Sequence, residues 1–346
     1  MHNKPPIRVL LVDDSQISRD FLREILHATD DISVVGEAHN GQQAVAMVEQ
    51  LKPDVVCMDL EMPVMSGAEV IDQIMHRKAV PILVVSGEDD AQKAYEALSL
   101  GALEVIKKPR FTQHDTTEFA HKVRLLAGVP VITRMRRKTY MPELYEAPQD
   151  TDAAPQSFTQ VVAIACSTGG PQALSYLLAN LDANLQAPVL ISQHMSDGFV
   201  DGMVQWLSGF SSLPIKVAVH GERIEAKQVY LSPSEQHMTV DASHRIKLLP
   251  RQEQDIYRPC CNYLFDSVAQ HFGRHAIALI MTGMGRDGAS GMQKIKQSGG
   301  ITLAQDEASS VIFGMNFEAI SLGCIDEIIA LDKIPHKLNQ LVSGAR

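Results

Sequence analysis

At 346 residues the chain is too long for one ordinary domain, and a scale of about 150 residues per domain points to two. Hydrophobic residues at 45% and charged residues at 21% exclude disorder along the whole length, and no apolar run reaches the ~20 residues of a membrane-spanning helix. The net charge of −10 is uneven, with −7 in residues 1–128, zero in 129–157 and −3 in 158–346. Neither large segment therefore offers a basic nucleic-acid groove, and the acid of the first third hints at a cation or phosphoryl site.

The N-terminal run Met1-His2-Asn3-Lys4-Pro5-Pro6 leads into a short apolar stretch without the long apolar region or cleavage site of a signal peptide. Strands are predicted at Ile7–Val12, Ser33–Ala38, Val55–Asp59, Ile82–Ser86 and Glu104–Ile106. Helical patterns lie between them, at Ile17–Leu26, Gly41–Leu51, Ala68–Met75 and Ala91–Leu100. That alternation reads as a doubly wound, flavodoxin-like α/β domain with a parallel sheet over residues 1–128. Residues 129–157 break the rhythm with Pro130, Pro142, Pro148 and Pro155, the basic cluster Arg134, Arg136, Arg137 and Lys138, and a polar run. That composition is expected of a linker, with the basic cluster as a solvated turn.

A second α/β series is predicted over 158–346, with strands Val161–Cys166, Pro188–His194, Lys216–His220, Ala276–Thr282, Ile301–Gln305 and Glu327–Leu331. Helices are expected at Gln172–Leu181, Gly198–Leu207, Cys260–Phe272 and Ala289–Gln297. Val229–Leu231 and Met238–Val240 read as hairpin-like against Arg245–Leu249. Five cysteines, Cys57, Cys166, Cys260, Cys261 and Cys324, show no Cys-x-x-Cys pair and no zinc spacing. Free thiols in a reducing cytoplasm are the expectation.

In an open parallel sheet, ligands bind where side chains converge beyond the carboxyl ends of the strands. Asp13 and Asp14 follow the first strand, Asp59 ends the third, Ser86 ends the fourth and Lys108 follows the fifth. Three carboxylates at one rim repel one another unless a cation sits among them, and hard oxygen ligands suit Mg²⁺. Asp59 is then the nucleophile toward phosphorus, with Lys108 and Ser86 holding phosphoryl oxygens. A lone Asp at a strand end is usually a helix cap, but five strand ends in this order form a joint pattern. The runs Leu11-Val12-Asp13-Asp14-Ser15, Met58-Asp59-Leu60-Glu61-Met62-Pro63, Val85-Ser86-Gly87 and Lys108-Pro109 resemble response-regulator receiver domains. The resemblance implies transfer of a phosphoryl group from a histidine kinase to Asp59, with Mg²⁺ bound by Asp13, Asp14 and Asp59. Val105 stands where receivers often carry an aromatic switch residue.

In the second segment, Val161–Cys166 leads into Ser167-Thr168-Gly169-Gly170-Pro171, a strand-to-helix turn that projects a side chain from the sheet edge. The same turn is open to two readings, a serine nucleophile or a pyrophosphate cradle; Gly-x-Gly-x-x-Gly and a Walker lysine are absent. His194 and His220 are rival bases at strand ends, and Asp287 lies in the glycine-rich turn Thr282-Gly283-Met284-Gly285-Arg286-Asp287-Gly288. Glycines there let the Met284 amide approach a developing oxyanion. Cys166, inside an apolar strand, reads as inert packing.

Ser167-Thr168-Gly169-Gly170, Gln193-His194-Met195 with Gly198-Phe199, and Thr282–Gly288 together resemble the catalytic domain of chemotaxis protein-glutamate methylesterases, the CheB family. The resemblance implies Ser167 as nucleophile, His194 as base, Asp287 as orienting acid and a substrate of γ-methyl glutamate on chemoreceptors. Amidase action on receptor glutamines is implied too, with no cofactor for the esterase step, and so is a receiver that covers the crevice until Asp59 is phosphorylated. Ser196-Asp197 replaces prolines common in the family, and Cys166 a common alanine. Two rival functions remain open to the sequence: a transcription factor, disfavoured by the size and −3 charge of the second segment, and a non-catalytic binding module or phosphate sink.

Overall fold

Short runs of β-branched and aliphatic residues with no polar position become strands buried on both faces, as a parallel sheet layered by helices requires. The computed structural model describes residues 5–87, 91–110, 112–131, 158–252 and 255–344. The chain divides into two units, Met1–Tyr140 and Met141–Arg346.

In the first unit, β1 (Ile7–Val12), β2 (Ile32–Ala38), β3 (Val55–Met58), β4 (Ile82–Ser86) and β5 (Glu104–Lys107) form one parallel sheet in the order β2-β1-β3-β4-β5. The helices are α1 (Gln16–His27), α2 (Gly41–Leu51), α3 (Gly67–Arg77), α4 (Ala91–Leu100) and α5 (Gln113–Leu126). Ser15, Asn40 and Ser66 accept hydrogen bonds from the first-turn amides of α1, α2 and α3, and Ser66 closes a capping box with Glu69. The sequence pattern did not include α5.

In the second unit, β6 (Val161–Cys166) is buried along its whole length and starts the largest sheet. With β7 (Val189–Gln193), β8 (Ile215–Val217), β9 (Val229–Leu231), β12 (Ala276–Ile280), β13 (Ile301–Gln305) and β14 (Glu327–Ile329) it makes a parallel sheet in the order β14-β13-β12-β6-β7-β9-β8. β10 (Gln236–Val240) and β11 (Ile246–Pro250) pair antiparallel. The helices are α6 (Gly170–Ala179), α7 (Val200–Ser208), α8 (Cys261–Phe272), α9 (Ala289–Gln297), α10 (Met315–Ser321) and α11 (Ile334–Ser343). Met238, Val240 and Ile246 of the hairpin share one apolar cluster with Leu264, Phe265 and Val268 of α8.

Two expectations change. Val229–Leu231 joins the large sheet between β7 and β8 rather than the hairpin, because a three-residue buried run carries no alternation to reveal its partner. The strand expected at Lys216–His220 spans Ile215–Val217, so His220 lies beyond its end in an exposed turn. The basic cluster Arg134–Lys138 and Pro142, Pro148 and Pro155 lie outside the described residues. Among the described residues, no helix is long and apolar enough to cross a membrane.

Candidate functional site

In the first sheet the chain runs outward in both directions from between β1 and β3, which makes their carboxyl ends the switch point where ligands gather. Asp13 and Asp14 leave β1 there and Asp59 leaves β3, and one carboxylate oxygen from each lies within 4.8 Å of the others. Asp13 and Asp59 are buried and Asp14 is exposed. Lys108 Nζ lies 2.7 Å from Asp59 and 3.0 Å from Asp13, bridging the two buried acids. Asp13 is fixed further by the Ser15 amide at 2.9 Å and the Ser18 hydroxyl at 2.5 Å. Burial raises the Asp59 carboxyl above its ordinary value; Lys108 opposes the rise and the Asp13 charge adds to it. Burial likewise works against the Lys108 ammonium, yet its hydrogen bonds to Asp59 and Asp13 carry it above the usual lysine value.

The Ser86 hydroxyl is fully buried at the end of β4 and has no hydrogen-bond partner among the described residues. A buried hydroxyl is normally satisfied, so this one is suited to an incoming oxygen. Three oxygen donors, one exposed to admit a hydrated ion, match what Mg²⁺ prefers. Val105 is half-buried on β5.

The second sheet has its own switch point between β6 and β12. Ser167 follows β6, His194 follows β7, and Asp287 lies in the turn after β12. His194 Nε2 is 2.8 Å from Asp287 Oδ2, and Tyr257 stacks on the imidazole with ring centroids 5.1 Å apart. Asp287 is fully buried, and its carboxylate accepts main-chain N–H groups of Cys261 at 2.6 Å, Asn262 at 3.0 Å and Gly288 at 2.9 Å. Burial pushes this carboxyl up, but the His194 hydrogen bond and charge, with the main-chain donors, hold it below the ordinary carboxylate value. The structure thus pairs His194, and not His220, with the acid. His220 instead accepts the Leu248 amide at 3.2 Å.

Ser167 is held from three sides. Its amide donates to the Thr282 carbonyl at 3.0 Å, and its carbonyl accepts the Gly170 amide at 2.7 Å and the Gln193 side chain at 2.9 Å. Gln193 Nε2 also reaches the His194 carbonyl at 2.7 Å, so one buried amide ties nucleophile candidate to base candidate. Gly283 packs directly on Ser167, which sets Met284 one residue away from it. Among the described residues Ser167 Oγ and His194 Nδ1 make no hydrogen bond. Cys166 is fully buried and burial pushes its thiol up, so it offers no thiolate.

Several contributors carried no sequence signal of their own. Gln193 was visible only as part of a motif. Tyr257 and Asp255 sit in a stretch without periodicity, and Asp255 pairs at 2.8 Å with His237 of β10. Asp197, which the sequence singled out, forms a two-point ion pair with Arg251 at 2.7 and 3.0 Å.

An acidic cluster at the switch point of a flavodoxin-like unit and a Ser, His and Asp set at the switch point of a second α/β unit fit a response regulator joined to a hydrolytic domain. The comparisons agree. Residues 9–118 match the response regulator receiver domain and residues 162–338 match the CheB methylesterase domain. The chain is 48% identical to protein-glutamate methylesterase/protein-glutamine glutaminase 3 of Paramagnetospirillum magneticum (strain ATCC 700264 / AMB-1), over 98% of this chain and 97% of that one. It is 39% identical to protein-glutamate methylesterase/protein-glutamine glutaminase 2 of Anaeromyxobacter dehalogenans (strain 2CP-C), over 97% of both. The crystal structure of the Thermotoga maritima CheB methylesterase catalytic domain matches with a TM-score of 0.52 and 34% identity, covering 54% of this chain and 100% of that one. The chain belongs to the CheB family of protein-glutamate methylesterases.

Proposed function

We propose that a receiver over residues 1–128 governs a serine esterase over residues 158–346, joined by residues 129–157. The protein is a phosphorylation-activated protein-glutamate methylesterase that hydrolyses γ-methyl glutamate esters on chemoreceptors to glutamate and methanol, and deamidates glutamines. Its place is the cytoplasm, where a chemotaxis histidine kinase serves as phosphodonor. The observation that carries the reading is the His194–Asp287 hydrogen bond at 2.8 Å. With Nε2–H donated to Asp287, the tautomer leaves the Nδ1 lone pair for the hydroxyl of Ser167. Catalytic hydrogen bonds of substrate-free enzymes are often open and tighten in the Michaelis complex.

His194 Nδ1 takes the Ser167 proton as Oγ attacks the ester carbonyl. The imidazolium that forms is stabilised by Asp287, whose main-chain donors hold it ionised in a buried place. The Met284 amide receives the oxyanion. Nδ1 then returns its proton to the departing methoxide, and methanol leaves. Water deprotonated at Nδ1 attacks the glutamyl-serine ester and restores Ser167. With a glutamine substrate, ammonia leaves instead.

In the receiver, Asp13, Asp14 and Asp59 would hold Mg²⁺, which when bound neutralises charge on an incoming phosphoryl group. Asp59 attacks phosphorus and the donor histidine nitrogen departs. Lys108 shifts from the carboxylates toward a phosphoryl oxygen, and the Ser86 hydroxyl donates to another.

Ser167→Ala is expected to cut methanol release from methylated receptor membranes by up to ~10⁶-fold, while Asp59 still takes a phosphoryl group. Near-normal methanol release from that variant would overturn the assignment.

A further inference from the structure

On the side of the His194 imidazole away from Nδ1, three unlike donors converge. Nε2 lies 2.8 Å from Asp287 Oδ2 and 3.4 Å from Cys261 Sγ, and the three ligand atoms are all within 4.8 Å of one another. Cys260 Sγ stands 3.2 Å from the other Asp287 oxygen. The three donors come from the end of β7, the first residue of α8 and the turn after β12. Spacing along the sequence cannot show such a cluster.

An imidazole nitrogen, a thiolate and a carboxylate suit Zn²⁺ and not Mg²⁺, which takes oxygen. Tetrahedral zinc, with bonds of about 2.0–2.3 Å, separates its ligand atoms by roughly 3.3–3.6 Å. The Nε2–Sγ edge already has that length, and the Nε2–Oδ2 edge must open by about half an ångström once the proton between them has gone. We propose that His194 Nε2, Cys261 Sγ and Asp287 form a Zn²⁺ site that holds the esterase off, with water in the fourth position.

Burial and the Asp287 charge push the Cys261 thiol well up, so only the bound cation displaces its proton to solvent; the imidazole proton moves from Nε2 to Nδ1, and one proton is released per ion. The fixed tautomer then donates at Nδ1, where catalysis needs an acceptor, and Ser167 loses its base. This inhibition rests on the role proposed for His194, whereas the metal site does not.

Co²⁺ added to the full chain in excess Mg²⁺, which fills the oxygen cluster of the receiver, reports the site without any substrate. The expected result is one equivalent bound with a near-ultraviolet thiolate-to-metal band, removed by EDTA or by Zn²⁺. Cys261→Ser should lose the band and Cys324→Ser should keep it. Should Cys261→Ser fail to fold, His194→Asn is expected to weaken Co²⁺ binding at least ~10-fold, the scale on which even outer partners of a metal site act. No thiolate band in the unaltered protein, or its survival in folded Cys261→Ser, refutes the site. Methanol release should fall with Zn²⁺ and recover with EDTA, and an esterase inactive for any other reason leaves the cobalt spectrum unchanged.

Discussion

Gly283 lacks a side chain where Ser167 fills the space: a Cβ there would lie 2.7 Å from Ser167 Cβ and 2.5 Å from Met315 Sδ. Gly283→Ala must therefore push the serine or the start of α10. Overpacking of this sort costs about 1–3 kcal/mol, and a shift of ~1 Å at a reacting atom can cost ~10²-fold in rate. We expect kcat to fall on that scale while denaturant unfolding shows the smaller loss, and an unchanged kcat would mean that the serine is not constrained from this side. Asp59 makes the opposite case. Its carboxyl is raised in the folded chain, chiefly by burial, so the native state keeps a proton that the unfolded state releases. Receiver stability then falls as pH rises from the unfolded carboxyl value, ~3.9, through the higher folded value, and stays reduced above it. Asp59→Asn should stabilise the receiver at neutral pH, with the gain disappearing in acid; thermal unfolding at several pH values checks both parts. Asp13, Asp59, Lys108 and Ser167 were legible because each closes a strand and a crevice needs them there. Gln193 and Tyr257 were not, since what they do depends on which main-chain groups and rings the fold brings beside them.

Helix α8 begins without a side-chain cap of its own, and the Asp287 carboxylate occupies that place by accepting the Cys261 and Asn262 amides. A helix start favours negative charge, so the helix orders the acid and the acid caps the helix. The next amide back, that of Cys260, donates to His237 Nδ1 at 2.9 Å, while His237 Nε2 pairs with Asp255 at 2.8 Å and the ring stacks on Tyr263 at 4.5 Å. His237 is thus a positioning residue one step removed from the triad candidates. His237→Ala leaves the Cys260 N–H without its partner, a loss of about 1–3 kcal/mol. Through Asp287 it should lower kcat by ~10- to 10²-fold with little change in KM. A rise in KM at constant kcat would instead place His237 among substrate contacts. The strands and helices with clear periodicity were readable at this scale, and the exceptions were α5, the C-terminal helices α10 and α11, and the pairing of one short strand. Val229–Leu231 is buried on both faces, so it gave no alternation, and only its pairing with β7 and β8 decides where it belongs.

Both units bring their candidate site residues to the same topological feature, where the chain leaves the sheet centre in opposite directions, β1 against β3 in one and β6 against β12 in the other. Strand order was the part of the fold that the sequence left open, because parallel strands with a continuous apolar pattern look alike until they are paired. The acid of the whole molecule is likewise divided, −7 in residues 1–128 and −3 in 158–346, and phosphorylation replaces the single negative charge of Asp59 with the about −1.5 to −2 of a phosphoryl group in the more acidic part. That change can bias the esterase only by its differential affinity for a restrained and a released state, and couplings of about 1–3 kcal/mol are ordinary. The Thermotoga maritima structure is of a catalytic domain by itself, which makes residues 158–346 a reasonable fragment to measure. If the unphosphorylated receiver restrains the esterase, the fragment should release methanol faster than the unphosphorylated full chain, by roughly 5- to 150-fold for that range of coupling. Phosphorylation with Mg²⁺ should carry the full chain toward the fragment's rate, and Asp59→Asn should hold it low. A receiver that only delivers the enzyme to a partner would leave fragment and full chain equal on the same receptor membranes, and that equality would rule out restraint.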